Sequence, residues 1–281
     1  MLFGRSSIDP DKTVLVFVHI PKTGGTSLIA SMVQQMGDSA HLRTRMEKFD
    51  KFHRSSLHEA YDRWLRSVRT ALAERNGRSV LLPRDFPPDR LAEVRLISGH
   101  FRLGREPRTG KTPAYVSILR DPVDRFVSEY YYIRENLDLY PVKRVLPNPM
   151  KRAVGERSID EFVAWLAKRR RRGFRNIQCQ YLSGSPSFAE AMAAVDERVF
   201  LCACAPLEDL DEFGRLVARA FSLREPAVSR HNVGRSRPEE TRLAPATMER
   251  LRAFYDQDLL LYQYVKEQFA AYAEARAFTP S

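Results

Sequence analysis

The sequence predicts an α/β fold with a central, mainly parallel sheet flanked by helices and a helical C-terminal part. Strand-like apolar runs alternate with helical segments along most of the chain, which is the order typical of parallel sheets. These runs are almost continuously apolar, as expected when helices cover both faces of a sheet. Neither a repeat nor a low-complexity linker divides the 281 residues. We therefore expect a single domain over residues 1–281, with residues 1–12 as a loose lead-in.

The first half of the chain contains three apolar runs short enough to be covered strands, over residues 13–19, 94–98 and 114–119. An amphipathic helix follows the first strand over residues 26–36 and ends near Gly37. A polar stretch rich in His and Arg leads from there to a second predicted helix over residues 56–75.

Capping residues mark the helices of the second half. Asp121 is a predicted N-cap, and Pro122 is the first residue of a helix that reaches about residue 136, where the missing N–H of proline costs nothing. Three prolines predict a loop over residues 137–155. Two capping boxes predict further helix starts, at Ser158 with Glu161 and at Ser187 with Glu190. The remaining elements are a strand over 199–204 and helices over 206–221 and 246–277, the last broken near Asp256.

The chain is strongly basic, with 46 Lys and Arg residues against 35 Asp and Glu residues and a net charge of +11. This excess predicts an anionic partner. Nucleic acid, an anionic membrane surface, an acidic polysaccharide and a polyanionic nucleotide all fit it. No spacing of His, Cys, Asp or Glu indicates a metal site.

The cysteines form a sparse, odd-numbered set, Cys179, Cys202 and Cys204. We interpret them as small buried hydrophobic residues, with the side chains of Cys202 and Cys204 pointing apart on one strand. The N-terminus has no signal-peptide pattern, and the longest apolar strand-like run, residues 14–18, is too short to span a bilayer. These features predict a protein of a reducing compartment, without a transmembrane segment. We expect it to be cytoplasmic, and a peripheral position at a membrane stays open.

A glycine-rich turn directly follows the first strand, in the sequence His19-Ile-Pro-Lys-Thr-Gly-Gly-Thr-Ser27. Two glycines let backbone N–H groups approach an anion closely, and the N-terminus of the following helix adds partial positive charge. The turn is P-loop-like, but its lysine precedes the glycines, whereas a Walker A loop has its lysine after them. The order of residues thus argues against an ordinary ATP or GTP loop.

A second block has the sequence Tyr115-Val-Ser-Ile-Leu-Arg120-Asp-Pro-Val-Asp124-Arg125-Phe-Val-Ser128. Arg120 ends a predicted strand, and Ser128 lies two turns into the next helix. Ligands of open α/β sheets bind outside the carboxyl ends of the strands, so we expect Arg120 beside the glycine turn. We expect Asp124 and Arg125 to be structural, with Arg125 paired to Glu129 on the helix surface.

Together the two blocks resemble the cofactor-binding motifs of sulfotransferases that use 3′-phosphoadenosine 5′-phosphosulfate (PAPS), in the group that contains heparan sulfate 2-O- and 6-O-sulfotransferases and bacterial relatives. The resemblance implies that the 5′-phosphosulfate is held by Lys22, Thr23, Gly24, Gly25, Thr26 and Ser27. It assigns Arg120 and Ser128 to the 3′-phosphate of the donor. Lys22 is the expected catalytic cation, because a flexible ammonium can follow charge that develops on the departing bridge oxygen.

His100 is the predicted catalytic base. It follows a short strand and a glycine in Ile97-Ser98-Gly99-His100-Phe101, so it should emerge at the carboxyl edge of the sheet. A similar Gly-His step carries the base in the heparan 2-O type, although Ser98 stands where that enzyme has a second histidine. His19 resembles a loop-supporting residue, and Glu129 and His53 are alternative bases.

Two looser blocks extend the resemblance toward the C-terminus. Residues 176–184 resemble a segment that lines the cleft, and residues 229–237 resemble a basic loop that closes over the cofactor. Within that loop, Arg230, Asn232 and Ser236 are expected cofactor contacts. The basic run 168–172 is either a patch that binds the acceptor or the solvated end of a helix.

We therefore predict a PAPS-dependent sulfotransferase that needs no metal and transfers a sulfuryl group to a hydroxyl acceptor, expected to be a glycan. Nucleic acid is not an expected partner. A P-loop nucleotide kinase or NTPase is the alternative enzyme, and magnesium-dependent ATP turnover would indicate it. A non-catalytic polyanion-binding protein is the alternative of a different class, and it is based on the net charge and on the run 168–172.

Overall fold

A parallel sheet of five strands lies at the centre of the computed structural model, which describes residues 8–9, 11–37, 40–44, 88–139, 149–168, 175–205, 207–224 and 242–277. The strand order is β2-β3-β1-β4-β5, and each neighbouring pair is parallel. The strands are β1 Thr13–Val18, β2 His41–Thr44, β3 Leu96–Gly99, β4 Thr112–Arg120 and β5 Val199–Ala205. The predicted α/β fold with a mainly parallel sheet is confirmed.

Helices cover both faces of this sheet. They are α1 Gly25–Met36, α2 Pro88–Glu93, α3 Pro122–Leu139, α4 Pro149–Glu156, α5 Ile159–Lys168, α6 Ile177–Ser183, α7 Phe188–Arg198, α8 Leu207–Ala220, α9 Pro245–Phe254 and α10 Asp256–Ala277. Leu15 and Phe17 of β1 pack with α1 and α8, whereas Val14, Val16 and Val18 pack with α6, α7 and α10. Because both faces are covered, β1 has no polar alternation.

A third apolar cluster lies beside the sheet, among α3, α4, α5 and α9. Phe126 of α3 stacks on Phe162 of α5, with ring centroids 5.9 Å apart. Tyr255, the residue between α9 and α10, packs at an angle against Phe126. This cluster anchors α3, the helix that carries the second motif.

Several sequence-based boundaries are confirmed by hydrogen bonds. Asp121 Oδ1 accepts hydrogen bonds from the N–H groups of Val123 and Asp124, both at 2.9 Å, and so caps α3. The capping box at Ser158 forms in both directions with Glu161. The C-terminal helix is broken at Tyr255, next to the predicted Asp256.

Other expectations were wrong. Residues 149–156 form α4 rather than a loop, since Pro149 is the first helical residue and needs no N–H donor there. Residues 41–44 form strand β2, and residues 88–93 form α2, although neither was predicted. The helix predicted over residues 56–75 lies outside the described residues.

The three cysteines are free and buried, as expected. The expectation that Cys202 and Cys204 point apart is wrong, because residues i and i+2 of a strand share one face. Both side chains belong to the same apolar cluster as Cys179. Within the described ranges, no helix has both the length and the apolar character needed to cross a membrane.

Helices α6 and α10 cap each other. The buried carboxylate of Asp258 accepts hydrogen bonds from the N–H groups of Gln178 (3.0 Å) and Cys179 (2.8 Å), at the start of α6. In return, Asn176 Oδ1 accepts hydrogen bonds from the N–H groups of Gln257 and Asp258, both at 3.2 Å, at the start of α10. Each helix thus supplies the acceptor that the other needs at its N-terminus.

Replacing Asp258 should therefore cost much more stability than replacing an exposed aspartate. Asp258→Ala leaves two buried N–H groups without acceptors, and we expect the free energy of unfolding to fall by about 2–4 kcal/mol. Asp211→Ala, on the exposed side of α8, is the control and should change it by less than about 0.5 kcal/mol. Urea denaturation measures both values, and equal losses would contradict the capping role of Asp258.

Candidate active site

Three strands bring the predicted site residues to one edge of the sheet. Val18 of β1 pairs with Gly99 of β3 and with Ser117 of β4, so the segments after β1 and β3 start side by side, next to the last three residues of β4. The N–H of His19 also donates to the carbonyl of Gly99 at 2.9 Å. His19, His100 and Arg120 consequently meet at the carboxyl edge, as the sequence predicted.

The glycine turn between β1 and α1 is held through its carbonyl oxygens. The carbonyls of four successive residues each accept a hydrogen bond from a side chain. His100 Nδ1 donates to His19 (2.6 Å), Thr23 Oγ1 to Ile20 (2.9 Å), Arg125 Nη1 to Pro21 (3.4 Å) and Arg120 Nη1 to Lys22 (3.3 Å). Three of these donors come from outside the turn, so β3, β4 and α3 together determine its shape.

The backbone N–H groups of the same turn differ from its carbonyl groups in their hydrogen bonding. Within the described residues, no hydrogen bond is found for the N–H groups of residues 22–25. Gly24 is the N-cap of α1, and no side chain caps this helix. A helix N-terminus with unpaired N–H groups binds anions through its hydrogen-bond donors and its dipole.

Both glycines of the turn are needed for its shape. Gly24 has φ of 94°, in the left-handed region that glycine enters at little cost. A Cβ on Gly25 would lie 2.9 Å from a ring carbon of Phe17 and 3.2 Å from a ring carbon of His19. The start of α1 can therefore lie this close to β1 only with glycine at position 25. Lys22 itself has φ of 70°, a strained value for a residue with a side chain.

The hydroxyl residues of the turn divide into two kinds. Thr23 is 1 % exposed, and its hydroxyl donates to the turn itself, which makes it a support of the turn rather than an open contact. Thr26 is exposed and Ser27 is half-buried, both in the first turn of α1. Of the three predicted hydroxyl contacts, Thr26 and Ser27 are the accessible ones.

The ammonium of Lys22 lies over an aromatic ring that the sequence analysis did not identify. Lys22 Nζ is 4.1 Å from the ring centroid of Tyr132 on α3, a cation–π contact. Burial lowers the pKa of Lys22, while the nearby carboxylate of Glu129 opposes the shift. The signal for Tyr132 was its spacing, because it lies four residues after Ser128 and so shares the same face of α3.

Arg120 connects the two motifs. Its guanidinium donates to the Lys22 carbonyl and pairs with Asp124 Oδ2 at 3.5 Å. Ser128 lies one helical turn beyond Asp124 and is half-buried. The expected position of Arg120 beside the glycine turn thus agrees with the structure.

Arg125 pairs with Glu129 as expected, at 3.3 Å, but not on the helix surface. Its side chain is 3 % exposed and lies beneath the turn, where it donates to Pro21 and contacts the ring of Tyr255 at 5.8 Å. Asp124 is the exposed partner of Arg120. Both residues are structural, although Arg125 supports the site from below.

The rings of His19 and His100 are in contact and tilted relative to each other. Their ring centroids are 4.5 Å apart with an angle of 31° between the planes. A carbonyl oxygen can only accept, so the contact with the His19 carbonyl puts the proton of neutral His100 on Nδ1. Nε2 then carries the lone pair and is the atom of His100 that can accept a proton.

Burial disfavours the protonated form of both histidines. It lowers the pKa of His19 to about 3, with further contributions from His100 when that ring is protonated and from the charges of Arg43 and Lys22. Burial also lowers the pKa of His100, which the His19 carbonyl and Glu129 partly offset. Arg43 of β2 was not identified from the sequence, since the strand that brings it to this edge was not predicted.

Residues 5–265 match the sequence model of a protein family described as the sulfotransferase family, family 2. This match covers nearly the whole chain and includes both motifs. This chain belongs to the sulfotransferase family. No curated protein matches it. Membership makes sulfuryl transfer the general activity, and it confirms the resemblance drawn from the two motifs.

Some predicted site residues of this sulfotransferase lie outside the described residues. These are Arg230, Asn232 and Ser236, the alternative base His53, and residues 169–172 of the basic run. Lys168, the first residue of that run, is exposed in the last turn of α5. Among the residues that the structure does describe, no group of three or more His, Cys, Asp or Glu side chains could hold a metal ion.

The depressed pKa values predict that this sulfotransferase loses stability in acid. Well above pH 6.5 both histidines are neutral in the unfolded chain, and their lowered pKa values make them neutral in the folded protein too. Below pH 6.5 the unfolded chain binds protons that folded His19, with its pKa of about 3, does not bind. Through His19 alone, the free energy of unfolding should fall by up to about 1.4 kcal/mol for each unit by which the pH is lowered.

Urea denaturation between pH 6.5 and pH 5 measures this slope. His19→Gln should reduce the slope by about one proton, because the variant has no group to titrate at position 19. An unchanged slope in the variant would show that His19 is not held neutral by burial.

Proposed function

We propose that this sulfotransferase uses PAPS as its donor and transfers the sulfuryl group to a hydroxyl of an acceptor that we expect to be a carbohydrate. One observation carries the proposal, namely that the Arg120 guanidinium donates to the Lys22 carbonyl. Two segments about a hundred residues apart thereby combine into one basic site. The resemblance of each segment to a PAPS-binding motif supports the same donor.

The glycine turn fits a phosphosulfate group. The unpaired N–H groups of residues 22–25 and the uncapped N-terminus of α1 supply donors for anionic oxygens. The hydroxyls of Thr26 and Ser27 extend this set along the first helical turn. Arg120 and Ser128, on the neighbouring strand and helix, would hold the 3′-phosphate, for which a planar guanidinium is well suited.

PAPS, when bound, supplies a sulfuryl group attached to a good phosphate leaving group. Lys22 would neutralise negative charge on the phosphate side as the bond to sulfur breaks. Its ammonium contacts only the face of the Tyr132 ring in the described structure, a weak contact that it can exchange for an anion. Burial strengthens such an interaction, because the local dielectric constant is low.

His100 would act as the base. Its Nδ1–H is held by the His19 carbonyl, so the ring is fixed and Nε2 is the proton acceptor. As the acceptor oxygen forms its bond to sulfur, the hydroxyl proton moves to Nε2. The resulting imidazolium is stabilised by the His19 carbonyl and by Glu129, the two groups that raise the pKa of His100.

A carbohydrate acceptor is supported by two features. The motifs resemble the group that contains heparan sulfate sulfotransferases, and the chain carries a net charge of +11. Such a charge attracts an acidic chain of sugars over long distances.

Nucleotide binding tests the donor assignment. Saturating 3′-phosphoadenosine 5′-phosphate, the desulfated product, should raise the melting temperature by roughly 5 °C. Lys22→Ala and Arg120→Ala should each remove at least half of this rise, since each deletes a cation of the site. Lys266→Ala, which removes an exposed charge from α10, is the control and should keep the whole rise.

Three results would contradict this assignment. The first is no stabilisation at saturating nucleotide. The second is magnesium-dependent ATP turnover, which would indicate the kinase alternative. The third is tight heparin or DNA binding with no sulfuryl transfer, provided that Lys22→Ala and His100→Ala leave that binding unchanged.

The pH dependence of the rate tests His100. Because the base must be neutral and its pKa is lowered, kcat/KM should rise through a midpoint below pH 6.5 and stay flat above it. His100→Gln should lower kcat by about 10²–10⁴-fold and abolish this acid limb. His41→Gln, which alters the partner of Ser98, should keep the limb. Full activity in His100→Gln would contradict the assignment and favour Glu129.

A further inference from the structure

We propose that Gln178 is a positioning residue that fixes Arg120 for donor binding without touching the donor itself. This inference rests on the proposed function, because it takes Arg120 as a donor contact. Gln178 lies in the looser block at residues 176–184, and its side chain bonds to the backbone of Arg120. It is fully buried, at 0 % exposure, so it has no surface to offer a ligand.

The side-chain amide of Gln178 pairs with both backbone groups of Arg120. Gln178 Oε1 accepts from the Arg120 N–H at 3.0 Å, and Gln178 Nε2 donates to the Arg120 carbonyl at 2.9 Å. These two hydrogen bonds have the pattern found between neighbouring strands of a sheet, with the amide of a side chain in place of one strand. They hold the last residue of β4 at the point where the chain turns into α3.

The backbone of Gln178 is in turn fixed by Asp258. Its N–H donates to the carboxylate of Asp258, which also accepts from the next residue of α6. Asp258 belongs to the first part of α10, where Leu261 and Val265 pack in the cluster on the face of the sheet opposite to α1. A continuous set of hydrogen bonds therefore runs from α10 through Gln178 and Arg120 to the Lys22 carbonyl.

These hydrogen bonds restrict the position of Arg120. The guanidinium must donate to the Lys22 carbonyl and pair with Asp124, and it must also stay in position to bind an anion. A side chain with four rotatable bonds is positioned well only if its own backbone is fixed. The bidentate amide removes the freedom of that backbone at the end of a strand, where chains otherwise fray.

A double-mutant cycle on nucleotide affinity tests the inference. Gln178→Met keeps the size and removes both hydrogen bonds. It should weaken the binding of 3′-phosphoadenosine 5′-phosphate by about tenfold, measured by calorimetry. In the Arg120→Ala background the same change should weaken binding by less than about twofold, because the residue that Gln178 positions is gone. An equal loss in both backgrounds would overturn the proposal and leave Gln178 a merely structural residue.

Hydrogen exchange provides a readout that does not depend on the donor. Gln178→Met should speed exchange of the Arg120 amide at least tenfold relative to other amides of β4. Unchanged exchange at this amide would overturn the positioning role. If Arg120→Ala instead binds nucleotide as the wild type does, the assignment of Arg120 fails, and the exchange result still decides whether Gln178 fixes its backbone.

Two variants keep the test decisive. Gln257→Met is the matched control, because it removes two hydrogen bonds of a side-chain amide, one accepted from the N–H of Phe188 and one donated to Asp256, and keeps the Gln257 N–H that Asn176 caps. It should leave nucleotide affinity and exchange at Arg120 within about twofold of the wild type. If Gln178→Met does not fold, Gln178→Asn replaces it, since an amide shorter by one methylene cannot reach both backbone groups. It should give the same non-additive loss.

Discussion

Everything at the candidate site depends on how the carbonyl oxygens of residues 19–22 are satisfied. A turn that presents its N–H groups to an anion must have other donors for its carbonyls. This chain recruits them from β3, from β4 and α3, and from within the turn, as His100, Arg120, Arg125 and Thr23. Residues that belong to separate sequence motifs are therefore parts of a single hydrogen-bonded structure. The proposed base His100, the proposed phosphate-binding Arg120 and the glycine turn share one support.

The sequence predicted those parts of the fold and site that are encoded locally. Continuous apolar runs identified four of the five strands in the described structure. The caps at Asp121 and Ser158 were predictable because each capping side chain directly precedes its helix in the sequence. The rule that strand ends share an edge was enough to bring Lys22, His100 and Arg120 together, because in a parallel sheet the location of the site follows from strand order.

What the sequence did not predict arises from long-range contacts. The four residues of β2 are too few and too polar to be identified as a strand without their neighbour β3. Pro149 is one of three prolines that predict a loop, yet it is the first residue of α4, a position that accepts proline. Tyr132 lies outside the motifs, and the looser block 176–184 gave Gln178 no role of its own. Their roles follow from Lys22 and Arg120, which are distant in sequence and adjacent in space.

The reciprocal caps of α6 and α10 have a consequence for how the protein is made. Asp258 is supplied by the last helix of the described chain, yet it holds the segment that fixes Arg120. During synthesis the glycine turn leaves the ribosome early, whereas its completion waits for a residue more than two hundred positions later. The backbone of Arg120 should therefore become fully fixed in a nascent chain only once α10 has been synthesised and has folded onto α6.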